Sequence, residues 1–416
     1  MKVGLFGQFG GGNSGNDASL EAMILYLRKA CPQAELICFC PNPQKVASDY
    51  AIEAAGTGHP GLKGAFTRRL DRLSAGSLRR ALTLAHSFRQ MRGVDALIVP
   101  GTGFLDDYQE RPFGWPFMIF RWSLAARLSG AKLAFVSIGA GPITHPVSRW
   151  FMKQSARMCH YRSYRDTLSK QFMQRIGCDV ENDPVFPDLA FKLPNPAATY
   201  QPGPRKIAVG LGVMNYSGWV RGSQGHAVHC NYLGKLTAFA RWLLEQDYEI
   251  RLLTGDKGDE SAVKEVYRRL SIAIPDRVRS LVVFEPTQSL GELMRQISMM
   301  DIVVGSRFHN VVGALKLHKP VVSLSYASKN EALLSDIGLH GFSQHVEHFD
   351  LEILKRQFIR ALANRSEIKE QIANGVTRYT SALAEQDSLL MDAMLDAATE
   401  NTAGEGKPKD LSALSI

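Results

Sequence analysis

The sequence predicts an α/β protein of two doubly wound domains that face each other across a cleft. Three features predict it. Short apolar, strand-like runs alternate with helix-periodic segments in both halves, a proline-rich stretch separates the halves, and glycine-rich loops follow several strands. The 416 residues give room for two to three domains at about 150 residues each. With 45% apolar and 21% charged residues the chain is globular rather than disordered.

The first half opens with a buried strand, Val3–Phe6, after which Leu20, Met23, Ile24 and Leu27 recur at helical spacing. Leu36–Phe39 and Ala96–Val99 are strand-like, Phe117–Leu128 is helical, and Leu133–Ile138 is again a strand. Ser148 is placed to cap a helix running to Cys159, and Asp166 or Thr167 one ending before Gly177. Between Leu193 and Pro204 four prolines bar both helix and central strand, so this stretch reads as a linker. The alternation then restarts. Strands are expected at Ile207–Leu211, Glu249–Leu253, Leu281–Glu285, Ile302–Val304 and Val321–Ser325. Helices are expected at Tyr232–Gln246, Val263–Leu270, Leu290–Ser298, Val311–Leu317 and Leu351–Leu362, with a long one from Ser366 to about Ala398. The expected units are a Rossmann-like domain over 1–195, a second over 204–398 with the C-terminal helices, and a disordered tail over 399–416.

Composition narrows the function classes. No apolar run reaches the roughly 18–20 residues of a spanning helix, and Phe113–Leu128 is broken by Pro116, Arg121 and Arg127. The first residues lack a signal-peptide core. The six cysteines are scattered without a CxxC pair, which argues against a disulfide framework or structural zinc and for a cytoplasmic chain with reduced thiols. The formal net charge of +9 is concentrated between Lys63 and Arg92, where eight basic residues face one acid, Asp71. Leu70, Leu73, Leu78, Leu82 and Phe88 are interleaved, so 63–92 reads as basic amphipathic helix, suited to a solvated face or to peripheral contact with anionic membrane. No nucleic-acid motif accompanies the charge.

In doubly wound sheets ligands bind at the carboxyl ends of the strands, so the loops there carry the functional signal. Gly10, Gly12 and Gly15 satisfy G-x-G-x-x-G between a strand and a helix. The second strand lacks the carboxylate that a dinucleotide needs, so NAD is not expected, and Asn13 and Asp17 point instead to a sugar or an anion. Pro100–Asp107, with Gly101, Gly103 and Asp106, and Gly139–Pro142, with Gly141, follow two further strands. Three such loops at successive strand ends predict a cleft floor. In the second half, strand Ile302–Val304 runs into Gly305-Ser306-Arg307-Phe308-His309. The Arg307 guanidinium suits phosphate or carboxylate, and His309 suits proton transfer. Tyr326 and Lys329 stand after the next strand, with Lys329 a second anion contact. The polar loop expected over Asn215–Asn231 carries Trp219 and other aromatic groups suited to sugar faces. The His226-Ala227-Val228-His229-Cys230 spacing is a weak metal signal, and no metal is expected.

Taken together these motifs resemble the polysaccharide pyruvyl transferase family, over roughly Met1 to Leu339. Asn13-Ser14-Gly15-Asn16-Asp17 is similar to that family's opening Asn-x-Gly-Asp-Glu, with Asn16 in place of aspartate. Gly101-Thr102-Gly103-Phe104-Leu105-Asp106-Asp107 is similar to its glycine-rich loop, with Thr102 in place of glycine. Gly139–Pro142 with Ser148-Arg149, Arg165-Asp166 with Ser169, and Asp183-Pro184-Val185-Phe186 match further motifs, and Asp188–Phe191 is a rival for the last. Arg307 and His309 match its Arg-x-His, and Tyr326 and Lys329 its Tyr-x-x-Lys.

The resemblance implies a GT-B-like fold and transfer of a pyruvyl group from phosphoenolpyruvate to two hydroxyls of a saccharide, forming a cyclic ketal. It makes phosphoenolpyruvate the co-substrate, with no other cofactor, and the partner a polysaccharide precursor, free or lipid-linked, met in the cytoplasm or at the inner face of the membrane. His309 is then the acid or base, assisted by Arg307, and Arg307, Lys329, Arg165 and Ser306 are the donor contacts. Gly12, Asn13, Gly15, Asp17, Gly101, Gly103, Asp106, Gly141 and Trp219 lie on the acceptor side. A GT-B glycosyltransferase would use the same architecture with a ribose carboxylate, for which Glu285 and Glu292 are placed. A non-catalytic partner in polysaccharide assembly or at the membrane surface is the third reading.

Overall fold

A computed structural model describes residues 1–58, 61, 65–74, 76–107, 110–197, 206–218 and 222–403. The first domain begins β1 (Lys2–Phe6), α1 (Ser14–Ala30), β2 (Glu35–Cys40), α2 (Pro43–Tyr50), β3 (Glu53–Gly56), α3 (Ala65–Leu73) and α4 (Ser77–Gln90). It continues β4 (Ala96–Pro100), β5 (Gly103–Leu105), α5 (Trp115–Leu128), β6 (Lys132–Ala140), α6 (Pro146–Arg157), β7 (Tyr161–Tyr164) and α7 (Thr167–Arg175). The strands pair in parallel in the order β3-β2-β1-β4-β6-β5, with β7 also on β6. Parallel strands covered on both faces need continuous apolar runs, and every residue of Ala-Leu-Ile-Val-Pro in β4 is buried.

The second domain begins β8 (Ala208–Gly212), α8 (Ser223–Glu245), β9 (Glu249–Leu253), α9 (Glu260–Ala273), α10 (Pro275–Leu281), β10 (Val282–Phe284) and α11 (Leu290–Ser298). It continues β11 (Ile302–Gly305), α12 (Phe308–Lys316), β12 (Val321–Ser325), α13 (Ser328–Asp336), β13 (Ser343–His345), α14 (Leu351–Ala363) and α15 (Arg365–Ala403). Its parallel order β10-β9-β8-β11-β12-β13 is the doubly wound 3-2-1-4-5-6 arrangement, with the crevice where the order reverses, between β8 and β11.

Most expected elements are present, and the departures have local causes. α8 begins at Ser223, nine residues before the expected Tyr232, so His226, His229 and Cys230 lie on a helix rather than in a loop. His145, not Ser148, caps α6, because Pro146 fits the first helical position. The linker is described only as far as Asn195-Pro196-Ala197, and 404–416 of the expected tail lies outside the described residues, as α15 runs on to Ala403.

α15 ties the two domains together. The Gln386 amide donates to the hydroxyls of Ser137 and Ser163 in the first domain, 2.8 Å each. Asp387 pairs with Lys192 at 2.5 Å. Tyr379 packs edge-on against Phe191 with its hydroxyl on Asp336 of the second domain. The helix expected to belong to the second domain thus crosses back onto the first.

Candidate functional site at the domain seam

The loop from β1 to α1 is built by its own polar side chains. The Asn13 side chain caps α1 by accepting from the amides of Gly15 and Asn16, and Asp17 Oδ1 accepts from Gly10 N at 2.7 Å. Gly10 and Gly12 have φ of +73° and +91°, where a side chain would be strained. Asp17, read as a ligand contact, is instead buried as the clamp of this turn, and burial raises its pKa.

The seam closes on this loop. Ser14 Oγ donates to Gly255 O at 2.7 Å, and Lys257 N to Gly12 O at 3.3 Å. A Cβ built on Gly15 would lie 1.8 Å from His309 Cε1, so the imidazole occupies the space that any side chain at residue 15 would fill. Gly139 plays the same part for Arg165, whose guanidinium would lie 2.6 Å from a Cβ there. These two glycines admit protein side chains, where the sequence suggested backbone approach to a ligand. Gly101 has φ +59° and packs on Ser19. Gly103 and Gly141 lie against Asp106, and Gly103 also faces Arg165.

Two groups, one cationic and one protonatable, therefore meet one carboxylate, and a further cation lies close by. Asp188 Oδ2 is 4.0 Å from His309 Nε2 and 3.7 Å from an Arg165 terminal nitrogen. Asp188 Oδ1 accepts from Ala190 N, and Arg165 Nε lies 3.5 Å from Asp166 Oδ2; among the described residues neither Asp188 Oδ2 nor Arg165 Nε has a hydrogen-bond partner. Arg165 and Lys329 flank the Phe308 ring at 5.4 and 5.0 Å from its centre. The seam thus holds a buried acceptor and a buried donor whose neighbours are ion pairs of 3.5–4.0 Å rather than hydrogen bonds. Loss of hydration lowers the His309 pKa to about 4, against the pull of Asp188 and with the push of Lys329, Arg165 and Arg307. Loss of hydration and the Arg165 charge lower Lys329 to about 7, against Asp188, Asp166 and Asp106. At neutral pH His309 is thus a neutral imidazole, and Lys329 is poised to exchange a proton.

The sequence matches the model of the polysaccharide pyruvyl transferase family over residues 13–328. The chain belongs to that family. The match runs from the Asn13 cap to the residue before Lys329, so it spans both walls of the seam. No curated protein matches the sequence. Solved structures show the GT-B fold. The UDP-GlcNAc 2-epimerase from Neisseria meningitidis bound to UDP-GlcNAc is 12% identical over 95% of this chain and 100% of its own, with a TM-score of 0.59. MurG of Acinetobacter baumannii is 12% identical over 94% and 99%, with a TM-score of 0.54. The UDP-GlcNAc 2-epimerase from Methanocaldococcus jannaschii is 12% identical over 87% and 93%, with a TM-score of 0.58.

Other residues of this pyruvyl transferase family member sit differently from expectation. Arg307 forms a two-pronged pair with Asp259, 2.9 Å from Nε and 2.6 Å from a terminal nitrogen, and its stem crosses Gly255. Asp259 is fully buried, so this fork anchors the loop before His309. The Ser306 hydroxyl is buried and engaged by Gly212 O and the Tyr232 hydroxyl, and does not face the seam. Glu285 pairs with Arg251, and Glu292 accepts from Gln288 N at the start of α11. Trp219 lies outside the described residues. Among the described residues no three His, Cys, Asp or Glu side chains are grouped to hold a metal; His229 bonds to Tyr216 O, and Cys230 to His226. No helix is long and apolar enough to cross a membrane among the described residues.

Asp188 is the residue that sequence reading passed over. Its only signal was the Asp188–Phe191 run rivalling Asp183–Phe186. Asp183 is paired with Arg162 at 2.5 Å, and Asp188 holds the seam. Beside the seam, a cavity of about 540 Å³ is lined by Gln8, Asn13, Asn16, Trp115 and Met118 of the first domain and Asp256 of the second.

Proposed function

We propose that this chain transfers the enolpyruvyl carbons of phosphoenolpyruvate onto two hydroxyls of a saccharide, forming a cyclic pyruvate ketal and releasing phosphate. The observation that carries this reading is Asp188 Oδ2 standing between His309 and Arg165, with Lys329 beside the Phe308 ring that Arg165 also flanks. Phosphoenolpyruvate brings a phosphate and a carboxylate, and Arg165 and Lys329 supply matching cations in a desolvated place. Loss of hydration, helped by these charges, keeps the His309 proton off. A bound donor neutralises them, and His309 beside Asp188 then takes up a proton.

The methylene carbon gains a proton from His309, and the adjoining carbon becomes electron-poor. A sugar hydroxyl forms a C–O bond there and gives up its proton to the imidazole, which Asp188 steadies. The bond to phosphate breaks, and phosphate leaves toward Arg165 and Lys329. A second hydroxyl closes the ring and loses its proton, one of the two hydroxyl protons ending on the phosphate and the other replacing the one given to carbon. Arg307 acts through Asp259 to position the His309 loop. The acceptor lies in the Asn13–Trp115–Asp256 cavity, where polar groups border an aromatic edge. Phosphate release from phosphoenolpyruvate, measured with galactose-, mannose- and glucose-containing acceptors, tests this. Release that depends on the acceptor and disappears in His309→Ala supports it. Absence of release, with tight binding of uridine or guanosine diphosphate, transfers the assignment to glycosyl transfer.

A further inference from the structure

The first domain carries an open aromatic cluster ringed by cations that shares no residue with the seam. Phe113 and Trp150 are 51% and 52% exposed. Phe113 meets Phe117 and Phe151, and Trp150 meets Phe120, at 5.2–5.9 Å between ring centres, so the rings form one patch across α5 and α6. Arg80 stacks on Phe113 at 3.9 Å. Arg79, Arg80, Arg111, Phe113 and Val147 line one hollow, with Glu110 its carboxylate. Arg149, Trp150, Lys153 and Arg157 line another. Leu73, 78% exposed, continues the apolar surface along the basic helices, where Asp71 accepts from Arg79 N. The basic helix α4 is a fixed platform. Buried Arg121 of α5 donates to Thr83 O, to the Ser87 hydroxyl and to Thr57 O.

We propose that this face docks the protein on an anionic lipid bilayer. Half-exposed Trp and Phe suit the interfacial region, and the surrounding Arg and Lys suit lipid phosphates. A charge patch alone or an apolar patch alone holds a surface poorly, and this face combines them. RNA would pair with the arginines and stack bases on the rings, but it gives no role to the exposed aliphatic Leu73, which an acyl-chain boundary does. Glu110 and Gly114 line both the Phe113 hollow and the cavity of Asn13 and Asn16, so a docked bilayer would lie beside that cavity.

Flotation of the full chain with phosphatidylcholine vesicles, with or without phosphatidylglycerol, tests this surface independently of the pyruvyl-transfer reading. Wild type is expected to float only with the anionic vesicles, with a blue shift of tryptophan emission that is absent in Trp150→Phe. Arg79→Ser/Arg80→Ser should weaken partitioning by about fivefold per cation, and Phe113→Ser/Trp150→Ser should weaken it at least as much, with unchanged melting temperatures. Absence of flotation, equal flotation with neutral vesicles, or full binding by both double variants overturns the proposal. So does retention on RNA or heparin without vesicle binding, which would make the face a polyanion site.

Discussion

Placing an alanine at residue 15 tests the seam at its tightest point. The added Cβ would stand 1.8, 2.1 and 2.5 Å from three atoms of the His309 ring, where ordinary contact begins near 3.4 Å. The ring must retreat by about 1.6 Å, yet it is hemmed in by Phe308 at 5.2 Å edge-on and by Asp188. Such overpacking costs about 1–3 kcal/mol. Gly15 is the second residue of α1, with no positive φ, so alanine there would by itself gain about 0.5–1 kcal/mol. Gly15→Ala should therefore lower the apparent melting temperature in the wild-type background, at about 2–4 °C per kcal/mol. In a His309→Ala background the same change should be neutral or raise it. A double-mutant cycle followed by thermal and urea unfolding reads this reversal of sign. If the two changes simply add, the imidazole does not lie on Gly15 and the seam is wrongly drawn.

Four further outcomes are expected. Between pH 7 and 10.5 the unfolded chain keeps a proton that native Lys329 has released, so stability rises with pH there by up to about 1.4 kcal/mol per unit; Lys329→Met should flatten that slope, melt higher at pH 7 and lose phosphoenolpyruvate binding in calorimetry. Asp188→Asn keeps an acceptor for Ala190 N but removes the charge beside His309, and should cut kcat by about 10²–10⁴-fold with the fold retained by circular dichroism. Arg307→Ala leaves Asp259 buried without its cation and should cost about 3–5 kcal/mol by denaturant titration, whereas His309→Ala should leave stability nearly unchanged. Thr102 is held at φ +70°, so Thr102→Gly should raise stability by about 1 kcal/mol in the same assay.

The fold was legible because its signals are local. Buried parallel strands read as apolar runs, and helices as periodic ones. Elements with weak local signals were missed. α10 is seven residues opened by Pro275, and the first turns of α8, Ser-Gln-Gly-His, look like loop. The site was legible in part. His309 and Lys329 stand at expected strand ends, where a doubly wound sheet puts its chemistry, whereas Arg165 was marked only by the family resemblance, its strand Tyr161–Tyr164 being too short to read; all three lie at the seam. Arg307 looked equally free because its partner, Asp259, lies 48 residues away and only the fold joins them. The same holds for Gly15 and Gly139. Sequence marks a glycine, but only the packing of two domains shows that one admits His309 and the other Arg165. Thr102 stands where the family resemblance expected glycine, and its left-handed backbone shows the physical reason for that expectation.

The most direct measurement is the reaction run in deuterium oxide with phosphoenolpyruvate and an accepted saccharide, followed by NMR of the saccharide product. Pyruvyl transfer gives a ketal whose methyl group carries one solvent deuteron, with one phosphate released per ketal and none formed by His309→Ala. A product lacking the methyl group, or a saccharide extended only in the presence of a nucleotide sugar, would contradict it.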